Sequence, residues 1–185
     1  IPTQVKGHLV NLMELEKEKI TFPVEIGDVE NFVTSRGVLF FVVYLAEVEN
    51  DTDAKIYYNA LLPYDLHEIL ERYSKQKTRV LEFLPLPRKL DDVETIFRDF
   101  LSDQRKQSNT VIYGKVDETF SHLHQYTFSL PSKNGIPYFD ERPRYIYQNL
   151  TESVSVPLMK GTFDTMTIKD VPLVNYVNGR EYFRH

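Results

Sequence analysis

Ile1-Pro2-Thr3-Gln4-Val5-Lys6-Gly7 is the stretch around which the rest of the chain is organised. It reads as a short strand ending at a glycine. Successive side chains of a strand point to opposite sides, so Gln4 and Lys6 share one face. Val5 points the other way, and the expectation is that it enters a core. A polar acceptor and a lysine side by side on one strand face form a candidate site.

Outward from this strand the pattern alternates strands and helices. Glu14-Leu15-Glu16-Lys17-Glu18-Lys19 is a solvated hairpin tip or helix face. Ile20-Thr21-Phe22-Pro23-Val24-Glu25-Ile26 alternates strictly and predicts a half-buried strand. Pro23 donates no ladder hydrogen bond, which favours an edge position. Asp28 is expected to cap a short helix whose buried stripe is Val29, Phe32 and Val33. Arg36-Gly37 ends it.

Val38-Leu39-Phe40-Phe41-Val42-Val43-Tyr44-Leu45 is nearly continuous in apolar residues and predicts a central strand buried on both faces. A turn at Asn50-Asp51-Thr52-Asp53 joins it to a partner strand over Lys55 to Leu62, giving a hairpin. Asp65-Leu66-His67-Glu68 predicts a helix start, with Asp65 as cap and Leu66, Ile69, Leu70 and Tyr73 as the apolar stripe. A strand over Thr78 to Leu84 follows. A second capped helix begins at Asp91, with Val93, Ile96, Phe97, Phe100 and Leu101 buried. The resulting order of strand, strand, helix, strand, strand, helix, strand, helix is an α/β (α+β) plan with a mixed sheet flanked by helices.

Residues 109–185 read differently. Turn signals crowd there, at Ser132-Lys133-Asn134-Gly135, Lys160-Gly161 and Asn178-Gly179. Tyr176 to Phe183 carries the Asn-Gly pattern of a type I′ hairpin. Val154-Ser155-Val156 and Phe163 to Ile168 alternate as strands. The expectation is a partial α/β domain over 1–108 and a β-rich module or extension over 109–185.

Composition narrows the function. The 185 residues include no Cys, so thiolate chemistry and disulfides are absent and a reducing cytoplasm is the fitting compartment. No apolar run reaches membrane-spanning length and no signal peptide is visible, so no membrane partner is expected. The net charge of −5 excludes a bulk basic surface for nucleic acid. No P-loop, G-x-S-x-G or H-E-x-x-H is present. His122-Leu123-His124 has the spacing of two zinc ligands, with His67 or Asp117 as a conceivable third, but reads better as a polar strand face. Arg142-Pro143-Arg144-Tyr145-Ile146-Tyr147 mixes cations with aromatics. It reads better as a strand whose tyrosines pack and whose arginines pair with Asp140 and Glu141.

Gln4-Val5-Lys6-Gly7 resembles the second half of the restriction-endonuclease-like nuclease signature, in which an acidic residue on one strand is followed by Glu-x-Lys or Gln-x-Lys on the next. The wording is similar to that of the family catalogued as domain of unknown function 4365. The strand order over residues 1–108 and the Leu-Pro segments resemble it as well. The resemblance implies a microbial, Mg2+-dependent deoxyribonuclease, with DNA as partner and a homodimer as a common assembly. It implies Gln4 as a metal-shell or water-positioning group and Lys6 as the electrostatic catalyst on the phosphate. A neutral Gln is a poorer ligand for a hard cation than Glu. The signature also needs an acidic residue on a preceding strand. None precedes Ile1, so the resemblance implies the C-terminal part of a longer protein, inactive as it stands. The alternative is a non-catalytic nucleic-acid- or protein-binding module of the same fold.

Overall fold

The computed structural model describes residues 1–48, 51–108, 125–128, 132–133, 136–137, 142–149, 155–162, 174–177 and 180–184. Its organising element is a five-stranded mixed sheet. In chain order the elements are β1 (Thr3–Leu9), a 3-10 turn (Leu12–Glu16), β2 (Ile20–Glu25), α1 (Ile26–Thr34), β3 (Val38–Val48), β4 (Asp51–Leu61), α2 (Pro63–Tyr73), β5 (Thr78–Pro85) and α3 (Leu90–Ser108). This is the predicted order. In space the strands run β1-β3-β4-β5-β2.

β3 sits between two neighbours because its run is apolar on both faces. It pairs antiparallel with β4, Val38 opposite Leu61, and parallel with β1, Gln4 beside Phe40 and Lys6 beside Val42. A parallel pair needs a crossover, and residues 10–37 supply it, carrying β2 and α1. β2 closes the far edge beside β5, with Pro23 opposite Val80, so the proline stands on an edge strand as its missing N–H requires.

Each face of the sheet has its own core. On one, Phe40, Val42, Tyr57 and Phe83 meet Val29 and Phe32 of α1 and Leu66 and Ile69 of α2. The Phe40 and Phe83 rings meet edge-to-face, centroids 5.3 Å apart. On the other, Leu39, Tyr58 and Leu62 meet Ile96 and Phe100 of α3, together with Tyr145 and Tyr147.

The helix starts differ from expectation by a few residues, for local reasons. α1 begins at Ile26, so Asp28 lies inside its first turn. α2 begins at Pro63, whose fixed φ and absent N–H suit a first helical position. Asp65 is therefore a third-position residue, and it reaches back to accept the Leu62 N–H at 3.2 Å. Asp91 likewise stands in the first turn of α3. The end of α1 is as predicted. Gly37 has φ of +109°, its N–H reaches the Phe32 carbonyl at 2.9 Å, and a Cβ there would stand 2.9 Å from the Leu61 carbonyl oxygen.

The chain divides into two compact units, Ile1–Ser129 with Tyr145–Lys160, and Leu130–Arg144 with Gly161–His185. A three-stranded sheet of β6 (Gln125–Phe128), β9 (Arg144–Asn149) and β10 (Ser155–Gly161), ordered β10-β9-β6, lies almost wholly in the first unit. Residues 145–160 thus belong with the α/β part although they lie beyond residue 108. The second unit contains two hairpins, β7 (Ser132–Lys133) with β8 (Ile136–Pro137), and β11 (Val174–Val177) with β12 (Arg180–Arg184). The latter brackets the Asn178-Gly179 signal. The turn residues themselves, the Asn50 turn residue, the His122/His124 pair with Asp117, the acids Asp140 and Glu141, and the strand expected over Phe163 to Ile168 lie outside the described residues. Among the described residues no helix is long and apolar enough to cross a membrane.

Candidate functional site

β1 is an edge strand, and its register fixes where the predicted site faces. Gln4, Lys6 and His8 stand beside Phe40, Val42 and Tyr44 of β3, on the sheet face that carries α1. Val5 stands beside Phe41 on the opposite face. There α3 covers Phe41, whose ring stacks on Phe97 at 6.3 Å, but Val5 is left 59% exposed. The expectation that Val5 enters a core is therefore corrected: the polar pair borders the main core, and the valine faces outward. Leu9 is exposed in the same way, at 68%.

Lys6 Nζ lies 3.8 Å from an Asp28 carboxylate oxygen, an ion pair across the β1–α1 interface, and both groups are partly solvated. The His8 and Tyr44 rings lie 5.9 Å apart. The face therefore holds an amide, an ammonium, an imidazole and one carboxylate. This donor set does not complete a site for a hard divalent cation. Such an ion needs one or two free carboxylates among its oxygens; here Gln4 is neutral and Asp28 is engaged by Lys6. Among the described residues no group of three or more His, Asp or Glu side chains is placed to hold a metal.

A second polar constellation forms where sequence reading expected only packing. Three donors converge on one oxygen of Asp65: the Leu62 N–H at 3.2 Å, the Lys160 ammonium at 2.8 Å and the Tyr145 hydroxyl. Lys160 also donates to the Ala60 carbonyl at 3.2 Å and lies 4.9 Å from the Tyr145 ring centroid. One turn of the strand further, the Tyr147 hydroxyl donates to Asp103 at 2.9 Å and accepts from Gln107 Nε2 at 3.1 Å. Gln107 Oε1 in turn accepts the Tyr64 N–H at 2.9 Å, one of the orphan donors at the start of α2.

Burial pushes the Tyr145 phenol well above its usual range, and the Asp65 carboxylate beside it adds to the shift. Burial raises Tyr147 as well, helped by the Asp103 charge. Both phenols thus stay protonated and act as donors to fixed carboxylates. With so little exposure neither can reach a substrate. The network is a clasp that ties β9 and β10 to the N-terminal turn of α2 and the last turns of α3.

The tyrosine-rich strand was legible as one whose aromatics pack. The partners were not, because Asp65, Asp103, Gln107 and Lys160 are far apart in sequence and belong to no motif.

Comparison with family models, with curated proteins and with solved structures finds no match for this chain.

Proposed function

We propose that the chain carries the Gln-x-Lys half of a restriction-endonuclease-like phosphodiesterase site, with DNA as the substrate class, and that it does not cleave by itself. The observation that supports this is the placement of β1. Gln4 and Lys6 share one face of an edge strand that pairs parallel with β3 through the crossover bearing α1. That arrangement puts an ammonium at the rim of the sheet, where it can offset charge developing on a phosphate. The missing part is an acidic ligand. The outer edge of β1 is unpaired among the described residues, and a strand seated there would bring a carboxylate beside Gln4. Mg2+ would enter only with that strand, and the cytoplasm is the compartment that suits such chemistry.

The second reading is a non-catalytic nucleic-acid- or protein-binding module of the same fold, in which a homodimer could use the same edge. The Lys6–Asp28 ion pair favours it, because a paired lysine is a structural group before it is a catalytic one.

The deciding experiment measures Mg2+-dependent DNA cleavage by the chain and by an N-terminally extended form, each with and without Lys6→Ala. Cleavage by the extended form alone, abolished by the substitution, supports the half-site. No cleavage by any form across several divalent metals and substrates leaves the binding module.

A further inference from the structure

We infer that a cleft walled by α2, β4, β5 and β10 binds a compact ligand bearing one carboxylate or one phosphate, with Arg79 as its anchor. The cleft has a volume of about 250 Å³, and its charged lining is Asp65, Glu68, Arg72, Arg79 and Lys160. Three cations thus face two acids. Both acids are already engaged, Asp65 by Lys160 at 2.8 Å and Glu68 by Arg72 at 2.9 Å. The remaining positive charge is Arg79.

The Arg79 guanidinium carbon lies 4.0 Å from the Tyr73 ring centroid, and among the described residues no carboxylate pairs with it. A guanidinium held on an aromatic face is fixed in orientation, yet its in-plane N–H donors stay unused. Such a preset fork matches the two oxygens of a carboxylate or a phosphate. Asn59, also in the wall, donates a side-chain N–H to the Glu82 carbonyl at 2.8 Å. Ile69, Leu81 and Tyr73 give the cleft its apolar side.

Size and charge limit the ligand. The volume equals about eight liquid waters, below the usual range for drug-sized pockets. Asp65 and Glu68 would repel a second negative charge placed beyond the first. A small, singly headed oxyanion with a short apolar body is what the lining accepts. The cleft shares no residue with the Gln4–Lys6–Asp28 face, so the inference stands or falls apart from the nuclease reading.

The test titrates the chain with benzoate, with phenyl phosphate and with neutral benzamide, following by NMR the backbone amide resonances of Ile69, Tyr73 and Leu81, which line the cleft and persist in every variant. The expected result is a saturable shift with at least one anion and none with benzamide. Arg79→Gln should weaken that binding by about tenfold or more, the size of one lost charge-assisted hydrogen bond. Arg79→Lys, which keeps the charge and loses the fork, should fall between. Arg98→Gln, on α3 outside the cleft, should bind as the parent does. The tighter of the two anions assigns the head group. The inference is overturned by absence of saturation with both anions up to about 20 mM, by equal binding of benzamide, or by undiminished affinity in a folded Arg79→Gln protein.

Discussion

The outer edge of β1 and the clasp around Asp65 are two polar regions of the first unit, and they are built on opposite terms. At the edge, Gln4 and Lys6 belong to one three-residue motif, and Lys6, half in water, is held by one 3.8 Å ion pair. In the clasp, groups drawn from α2, α3, β9 and β10 close on one another at 2.8–3.2 Å and are mostly buried. The difference teaches that a motif reports chemistry that is local in sequence, whereas a buried network reports the fold itself. The first can be changed without disturbing the domain. The second cannot, because each buried polar group depends on its partner.

The comparison breaks first at the core beneath the edge strand. Phe40→Ala, in the strand that β1 leans on, should cost about 4 kcal/mol by the lost transfer and the cavity left behind. Val5→Ala, one strand out and facing water, should change stability by less than about 0.5 kcal/mol. Urea midpoints of the two variants check this, and similar losses at both would mean that the edge is covered.

Asp65→Ala comes next. It removes the acceptor shared by Lys160, Tyr145 and the Leu62 N–H, and should destabilise by about 3 kcal/mol, as breaking one side of a buried pair does. Adding Lys160→Met to Asp65→Ala should recover only the part of that loss owed to the unpaired ammonium, because the Tyr145 hydroxyl and the Leu62 N–H still lack their acceptor. A double variant as unstable as the sum of the single changes would show that the pair is not coupled.

The tyrosines provide a pH test. An unfolded tyrosine ionises near pH 10, while folded Tyr145 and Tyr147 hold their protons well beyond it. Above that pH the unfolded state binds fewer protons than the native one, so stability falls as pH rises. It is fully present below about pH 9 and declines above about pH 10 by roughly 1.4 kcal/mol per pH unit for each of the two tyrosines. Denaturation between pH 8 and pH 11.5 should show that decline, shallower in Tyr147→Phe. A flat profile in the parent protein would contradict the burial of these phenols.

Lys6→Ala should also have little effect on stability. A half-solvated pair contributes under about 1 kcal/mol, so the thermal midpoint should barely move. Any large loss of DNA cleavage in an extended form would then be chemistry and not folding.

Much of the fold was legible because periodicity and length are local. The run from Val38 to Leu45 announced a strand buried on both faces, Pro23 an edge, and Arg36-Gly37 a helix end. Helix starts slipped by two or three residues because acids serve equally well as caps and as first-turn residues, as Asp28, Asp65 and Asp91 do here. The orientation of Val5 was misjudged for a different reason. Alternation says that Val5 opposes Gln4 and Lys6 but not which face lacks a covering helix, and that depends on where α3 lies, some ninety residues away. The Asp65 clasp and the Arg79 cleft were out of reach altogether, since Lys160 meets Asp65 only when the fold has closed.

The parallel seam between β1 and β3 also fixes an order of events. β3 and β4 are neighbours in sequence and close a hairpin on the microsecond scale. β1 can join β3 only after residues 10–37 have looped round, so its pairing carries the greater closure entropy. The strand bearing Gln4 and Lys6 is then zipped after the hairpin it joins, and it opens before that hairpin does. Its amides should exchange with deuterium ahead of those of β3 and β4, and whatever seats itself on that edge will do so against a strand that is itself on a latch.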